Sequence, residues 1–445
     1  MHKRVTVIGL GYIGLPLVAV LAKVGFGVIG LDINKKKIRR LKQTYRTEIN
    51  EPGLNELLQK HRSQITFTSS YEEAIPNSKA IFITVGTPID DQGKPDNSYL
   101  KQTFERMGKL IRQGQIIILK STVSVGTTEG LAKPMLEELS GMKAGEDFYL
   151  VFCPERTIEG KAVEELSSLP NIIGGINQKS MEEAEKIISR IGGKIIRVSN
   201  PRTAEMSKII DNCYRSINIL FANEAGFLCE KAKISMSEVR KAVNDSYERN
   251  NLFGAGLGAD GPCLYKDLHH FLYSAKKFAS HSELIETAIK TSDYSDERIA
   301  LITKRFVEKN RIKKPRISLL GVAFKGMPET DDTRGSPATK IVKALKKNLS
   351  AADYSFFDPM VEKFEGLNCS ESIENAIASA NVIMFLNNHK KLRELRAKQL
   401  LERTARPLLV IDAWENVENP ADLETNEKVL FFGIGKPCNK CGELL

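Results

Sequence analysis

The sequence predicts an α/β protein in which two doubly wound, parallel-sheet domains are joined by a central helical domain containing one long helix. Three observations carry this expectation. Short β-branched apolar runs alternate with helical patterns through the first part of the chain, as in βαβ units. At Asn200 that alternation gives way to a sustained helical period. Beyond Lys313, Lys314 and Pro315, strand-like runs return between helical segments. At 445 residues the chain also exceeds what one hydrophobic core serves. The expected boundaries are 1–199, 200–308 and 309–445.

The first unit opens with a β-branched run at residues 4–9, followed at once by GLGYIGLP. Gly9, Gly11 and Gly14 therefore form GxGxxG between a strand and an apolar helix. There the first glycine permits the turn, the second admits a pyrophosphate, and the third lets helix and strand pack closely. The helix amino terminus supplies N–H groups to the phosphates. A second strand, residues 27–31, ends in Asp32, at the spacing where a carboxylate accepts hydrogen bonds from an adenosine ribose. This is a Rossmann-like dinucleotide site, and Asp32 favours NAD over NADP. Lys35, Lys36 and Lys37 are positioned to meet a 2′-phosphate, but lysines opening a helix are usually solvated.

Strand-like runs at 80–85 and 115–120 end in the polar turns GTP, with Thr87, and STVSVGTT, with Thr122. Carboxyl-end loops of a doubly wound sheet face the ligand crevice. YLVFCPERTIEG then places Glu155 and Arg156 after another apolar strand.

Asn200 is a helix cap and Pro201 suits the first turn. Apolar residues follow at Met206, Ile209, Ile210, Cys213, Ile217, Leu220 and Phe221, predicting a helix that reaches the neighbourhood of Cys229. Lys208 and Asn212, four apart, share one face. A helix of this length must pack its stripe on a dimer partner or a domain junction. The stretch FGAGLGADGPCLYKD follows, from Phe253 to Asp267. Its glycines let the backbone turn sharply, and Cys263, Lys266 and Asp267 bring a thiol, a cation and a carboxylate within about one helical turn. Helical periodicity then continues to about Phe306; His269, His270 and His281 have no second ligand cluster beside them, and no metal site is expected.

In the last third, strands are expected at 317–321, 354–357, 382–386 and 408–411, with Lys325 and Arg334 in the loop after the first. The terminal KPCNKCGELL has the spacing of half a zinc knuckle, which cannot fill a tetrahedral site, so a mobile tail is expected. With 42% hydrophobic and 27% charged residues, and a formal charge of +10 spread along the chain, the composition points to a small anionic ligand and away from a nucleic-acid tract. The nearly uncharged run 10–31 is interrupted by Lys23, Pro16 and glycines, so it reads as strand, turn and helix, not a membrane span. MHKR is followed by no cleavage site, and seven mostly isolated cysteines suit a reducing compartment; the cytoplasm is expected.

In order along the chain, GLGYIGLP, GTP, STVSVGTT, PERTIEG, AEMSKIIDN, GPCLYKD and AFKGMPETDDTRGSP resemble the motifs of the nucleotide-sugar 6-dehydrogenases, the family of UDP-glucose, UDP-N-acetylhexosamine and GDP-mannose dehydrogenases. The resemblance implies NAD bound by Gly9, Gly11, Tyr12, Ile13, Gly14, Asp32, Thr87 and Thr122, with Arg334 reaching it from the nucleotide side. It implies a nucleotide sugar held by Glu155, Arg156, Lys208, Asn212, Phe253, Gly254, Gly258 and Lys325, and a homodimer or higher homo-oligomer formed through the central helix. Cys263, Lys208, Asn212, Asp267, Glu155 and Thr122 take the catalytic roles in the same pattern. The implied reaction is a four-electron oxidation of the sugar's C6 alcohol to a uronate, through a Cys263 thiohemiacetal and thioester that Asp267 helps water to cleave. PER resembles the N-acetylhexosamine branch and CLYKD the UDP-glucose branch; a UDP sugar is expected, with the hexose open. Asp260 stands where many members have glycine, and Trp414 where relatives often have arginine. Two other readings remain at this point: a two-electron alcohol or hydroxyacid dehydrogenase with a structural Cys263, and a non-catalytic NAD and nucleotide binder.

Overall fold

Alternating residues of each central strand are buried on opposite faces, which is what a parallel sheet covered by helices on both sides requires. The computed structural model describes residues 4–438 and 440–442. They divide into two units, one of residues up to 212 together with 269–281, the other of residues 213–268 and 282 onward.

The first unit carries an eight-stranded sheet: β1 (Arg4–Ile8), β2 (Gly27–Leu31), β3 (Ile65–Thr68), β4 (Ala80–Ile83), β5 (Ile116–Leu119), β6 (Tyr149–Phe152), β7 (Asn171–Gly175) and β8 (Ile195–Val198), in the order β3-β2-β1-β4-β5-β6-β7-β8. The first six run parallel in the Rossmann order; β7 meets β6 antiparallel, and β8 lies parallel to β7. Val5, Val7, Phe82, Ile118 and Val151 enter one core beside the helix Gly14–Lys23. Ile81, Ile83, Ile117, Leu119 and Leu150 enter the core on the other face. The uncharged run 10–31 is thus turn, buried helix and strand, and no helix among the described residues is long and apolar enough to cross a membrane.

The second unit holds β9 (Arg316–Leu320), β10 (Asp353–Phe357), a two-stranded ribbon of β11 (Lys363–Phe364) and β12 (Leu367–Asn368), then β13 (Val382–Phe385), β14 (Leu408–Asp412) and β15 (Val429–Gly433). The five-stranded sheet, β10-β9-β13-β14-β15, is wholly parallel, and its order reverses between β9 and β13. Ile317 and Leu319 pack with Ile299, Phe306, Ile341 and Leu345 of the helices Glu283–Lys309 and Pro337–Asn348.

The long helix is Pro201–Ala232, and Asn200 Oδ1 accepts from Thr203 N at 3.0 Å, closing its amino end. Its apolar residues do not form the single stripe read from sequence. Ile209, Cys213 and Leu220 are buried, whereas Ile210, Tyr214, Phe221 and Leu228 face outward. The helical pattern after Cys263 is two helices, Gly261–Lys277 and Glu283–Lys309, separated where Ala279 adopts a left-handed φ of 51°. The strands β3, β7, β8 and β15 lie outside the expected runs; β8 is partly exposed and β7 ends in two glycines, so neither shows a continuous apolar run. At the carboxyl end, Cys438 and Cys441 form a disulfide and Cys441 is buried in the second unit's core. A mobile tail therefore does not describe Cys438 and Cys441: a CxxC spacing lets two thiols bond each other, and both pack on the second unit's core. Residues 439 and 443–445 of the expected tail lie outside the described residues.

Candidate active site

The turn after β1 is built by glycine where no other residue fits. Gly9 has φ +91°, and a Cβ on Gly14 would lie 1.8 Å from Gly9 O, so helix and strand meet at contact distance only without it. At Gly11 nothing lies within 4 Å of where a Cβ would be, leaving open space before the helix. Thr84 Oγ1 donates to Ile8 O and Gly9 O, tying the end of β4 to this turn at the point where the strand order reverses. Asp32 accepts from Leu10 N at 3.0 Å and Asn34 N at 2.9 Å. Lys37 Nζ is 3.0 Å from Asp32 Oδ2 and also donates to Leu10 O. Lys37 is thus occupied by the carboxylate and a carbonyl.

Two neighbouring loops carry the hydroxyls expected near the cofactor. Thr87 Oγ1 donates to Thr122 O at 2.5 Å, joining the loops after β4 and β5. The STVSVGTT loop is held by a residue that sequence reasoning missed. Glu205 accepts from Gly126 N at 2.6 Å, and from Thr128 N at 2.8 Å and Thr128 Oγ1 at 2.7 Å. Burial pushes its carboxyl up to about 6, against those hydrogen bonds, which favour the anion. His270 Nδ1 pairs with Ser124 Oγ at 2.9 Å, so this histidine has a structural part in the same loop.

Glu155 leaves β6 into the buried end of the sheet. Burial alone would raise its carboxyl, but Lys120 Nζ at 3.4 Å and the amides of Arg156 and Thr157 at 2.8 and 2.9 Å hold it below the usual carboxylate range. Lys120, another residue missed from sequence, also approaches Cys153 Sγ at 3.9 Å. The Cys153 thiol is pushed up by burial and is a core group. Arg156 lies 3.6 Å from Asp211 on the long helix. On that helix Lys208 and Asn212 are both buried, one turn apart. Among the described residues the Lys208 ammonium has no ion pair or hydrogen bond, and the residue as a whole is 8% exposed.

The second unit presents the thiol. Cys263 is the third residue of the helix Gly261–Lys277, and its side chain is exposed. Asp267, one turn on and fully buried, pairs with Lys266 Nζ at 2.7 Å. Cys213 Sγ donates to Asp267 O at 3.6 Å, and burial, then the Asp267 charge, push its thiol up to about 12. The loop before Cys263 abuts the one after β9. Gly261 N donates to Gly335 O at 2.7 Å, and a Cβ on Gly261 would lie 2.7 Å from the Phe324 ring. Lys325 and Arg334 belong to that second loop; Lys325 Nζ stands over the Phe324 ring, and Arg334 forks onto Asp332. Trp414, after β14, donates its indole N–H to Leu386 O and sets its ring 4.0 Å from where a Gly256 Cβ would be. Phe253, Gly254 and Gly258 fall in the same glycine loop.

Residues 3–191 match the NAD binding domain of the UDP-glucose/GDP-mannose dehydrogenase family, residues 202–294 its central domain, and residues 318–419 its UDP binding domain. The chain belongs to this family. Similar proteins include the UDP-N-acetyl-D-mannosamine dehydrogenases of Pyrococcus horikoshii, 31% identical over 97% of this chain and 99% of that one, and of Campylobacter jejuni, 33% identical over 90% and 98%. The solved structure of the Pyrococcus horikoshii UDP-D-ManNAc dehydrogenase covers 98% of this chain and 99% of its own at 30% identity, with a TM-score of 0.87. The chain is accordingly an NAD-dependent nucleotide-sugar dehydrogenase. The residues present fit NAD: an open Gly11 at a helix amino end, and a carboxylate at Asp32 whose neighbouring lysine is already engaged. Among the described residues no His, Cys, Asp or Glu cluster is arranged to hold a metal ion.

Proposed function

We propose that this family member oxidises the C6 primary alcohol of a UDP-N-acetylhexosamine to the uronate, through covalent attachment to Cys263. The observation that carries the reading is the pairing of an exposed thiol in the first turn of a helix with a buried carboxylate one turn later on the same face. NAD, when bound, accepts one hydride in each of two oxidations. The first oxidation releases the hydroxyl proton and produces the aldehyde. Cys263, reacting as the thiolate, adds to the aldehyde carbon, and Lys208 and Asn212 hold the resulting oxyanion. Loss of the second hydride converts this thiohemiacetal to a thioester. Asp267 orients the water that cleaves the C–S bond, returning the thiol and releasing the carboxylate. The balance is one alcohol, one water and two NAD to one carboxylate, two NADH and three protons.

Lys208 supports this assignment, because among the described residues its ammonium meets no counter-charge and is matched to negative charge that arrives with the ligand. Glu155 suits positioning better than base catalysis, since its neighbours keep it a weak base. Support for an N-acetylhexosamine comes from the PER turn and from the named relatives. Recording NADH formed per sugar against UDP-N-acetylmannosamine, UDP-N-acetylglucosamine, UDP-N-acetylgalactosamine, UDP-glucose and GDP-mannose tests both parts. Two NADH from an N-acetylated UDP sugar, lost in Cys263→Ser, is the expected result; one NADH with an active Cys263→Ser rejects the cysteine chemistry.

The reading includes a homodimer. Tyr214, Phe221 and Leu228 are 71%, 61% and 70% exposed and recur at seven-residue steps, the repeat of a helix that seats against another helix. A second copy of the same helix offers the matching surface about a two-fold axis.

A further inference from the structure

Asp260 lies three residues before Cys263, and its side chain is 2% exposed. Its Oδ1 is 2.7 Å from Nζ of Lys340 on the helix Pro337–Asn348. The same ammonium is 3.0 Å from Asp293 Oδ1 and 3.7 Å from Asp296 Oδ2, both on the helix Glu283–Lys309. It also stands 3.9 Å over the ring of Tyr265, whose hydroxyl donates to Asp293 Oδ2 at 3.1 Å. One cation therefore touches the residues on either side of Cys263 and ties both to two helices. Asp296 Oδ1 accepts from Gly258 N at 3.0 Å, fastening the loop further back.

Three carboxylates around one ammonium leave an excess of negative charge, and the side chains of Asp260 and Asp296 are shut away from water. Burial first, then the Asp260 charge, raise the Asp296 carboxyl well above its ordinary range, which favours its protonated form. Oδ2 of Asp260 and Oδ2 of Asp296 are both buried without another hydrogen-bond partner among the described residues. A proton on Asp296 that is donated to Asp260 satisfies both oxygens and removes one of the excess charges. Gly258 makes the approach possible, since a Cβ there would lie 2.7 Å from Asp260 Oδ2.

We propose that Lys340 is a positioning residue for Cys263, the centre of a clamp in which Asp260, Tyr265 and the Asp260–Asp296 carboxyl pair hold the loop that presents the thiol. The proposal rests on the reading of Cys263 as the nucleophile. Asp293, Tyr265, Asp260 and Lys340 are the charged or titratable groups that meet Asp296 and its partners from the surrounding helices, and their balance sets how the clamp responds to pH.

The test compares Lys340→Met, Lys340→Arg and Asp260→Asn in the full-length enzyme. It measures kcat and KM for the nucleotide sugar, the pH profile, and the rate at which iodoacetamide alkylates the Cys263 peptide. Lys340→Met is expected to lower kcat by about tenfold or more, the scale for a misplaced reacting group, with KM changed far less and the alkylation rate altered. Lys340→Arg, which keeps the cation, is expected to restore most of kcat. A folded Lys340→Met enzyme with wild-type kcat and alkylation rate overturns the clamp. If that variant does not fold, Asp260→Asn keeps the side-chain shape without the ion pair, and wild-type values there overturn it equally. Cys263→Ser separates the two ideas: full four-electron turnover by that variant defeats the nucleophile reading itself, whatever Lys340 does.

Discussion

Lys120 Nζ stands 3.4 Å from Glu155 Oε2, with both side chains out of solvent at the carboxyl ends of β5 and β6. Removing one partner of such a pair strands the other charge. Lys120→Met is expected to cost about 3–5 kcal/mol of stability, and the Lys120→Met/Glu155→Gln double variant less than the single change. Thermal denaturation of the two variants in parallel checks this. Equal loss in both contradicts the pairing.

Glu155 held below the ordinary carboxylate range keeps its charge throughout the neutral region. The acidic limb of the kcat/KM profile should then stay in place in Glu155→Gln even as the rate falls. A limb that vanishes in that variant assigns the base to Glu155.

Asp32 is the carboxylate that a 2′-phosphate would have to displace, and Lys37 is already bound to it. In Asp32→Ser the repulsion is gone and Lys37 is released. The ratio of kcat/KM for NADP over NAD is expected to rise by at least about tenfold, which corresponds to about 1.4 kcal/mol of relieved repulsion. An unchanged ratio places the discrimination elsewhere.

Glu205 has a folded-state carboxyl raised to about 6 from an ordinary 4.5, because burial outweighs its hydrogen bonds. A raised carboxyl binds its proton more tightly in the folded chain than in the unfolded one. Its contribution to stability is complete below about pH 4.5 and disappears as pH climbs through about 6, a change of about 2 kcal/mol. Whatever its absolute melting temperature, Glu205→Gln should show a flatter dependence than wild type across that window. Parallel slopes in the two proteins discard this account.

Lys208→Ala should lower kcat by about 10²–10³-fold, the cost of removing an oxyanion donor from a dry site. Single-turnover measurements should show the loss in both hydride transfers. Separately, Phe221→Asp puts a charge in the middle of the exposed seam. Light scattering should then report a smaller assembly than wild type; an unchanged mass rules the seam out as the interface.

The glycines of GLGYIGLP were legible in the sequence because their chemistry is local: a turn, a close helix and a following carboxylate lie within a single βαβ unit. Strand β8 was not, since IIRV is half exposed and lacks a continuous apolar signature. The expected stripe on the long helix merged two faces, because periodicity records spacing and not which side meets protein.

The amino-acid sequence by itself determined the α/β class, the dinucleotide turn and the order of the motifs, all of which follow from short-range spacing and residue type. Tertiary structure alone decided what Lys120, Glu205 and Lys340 do. Glu205 meets Gly126 across 79 positions and Lys340 meets Asp260 across 80. Isolated in the sequence, each is one more charged residue. The difference is made by burial, which strips water from a charge and leaves its stability and its purpose to whichever distant partner the fold brings to it.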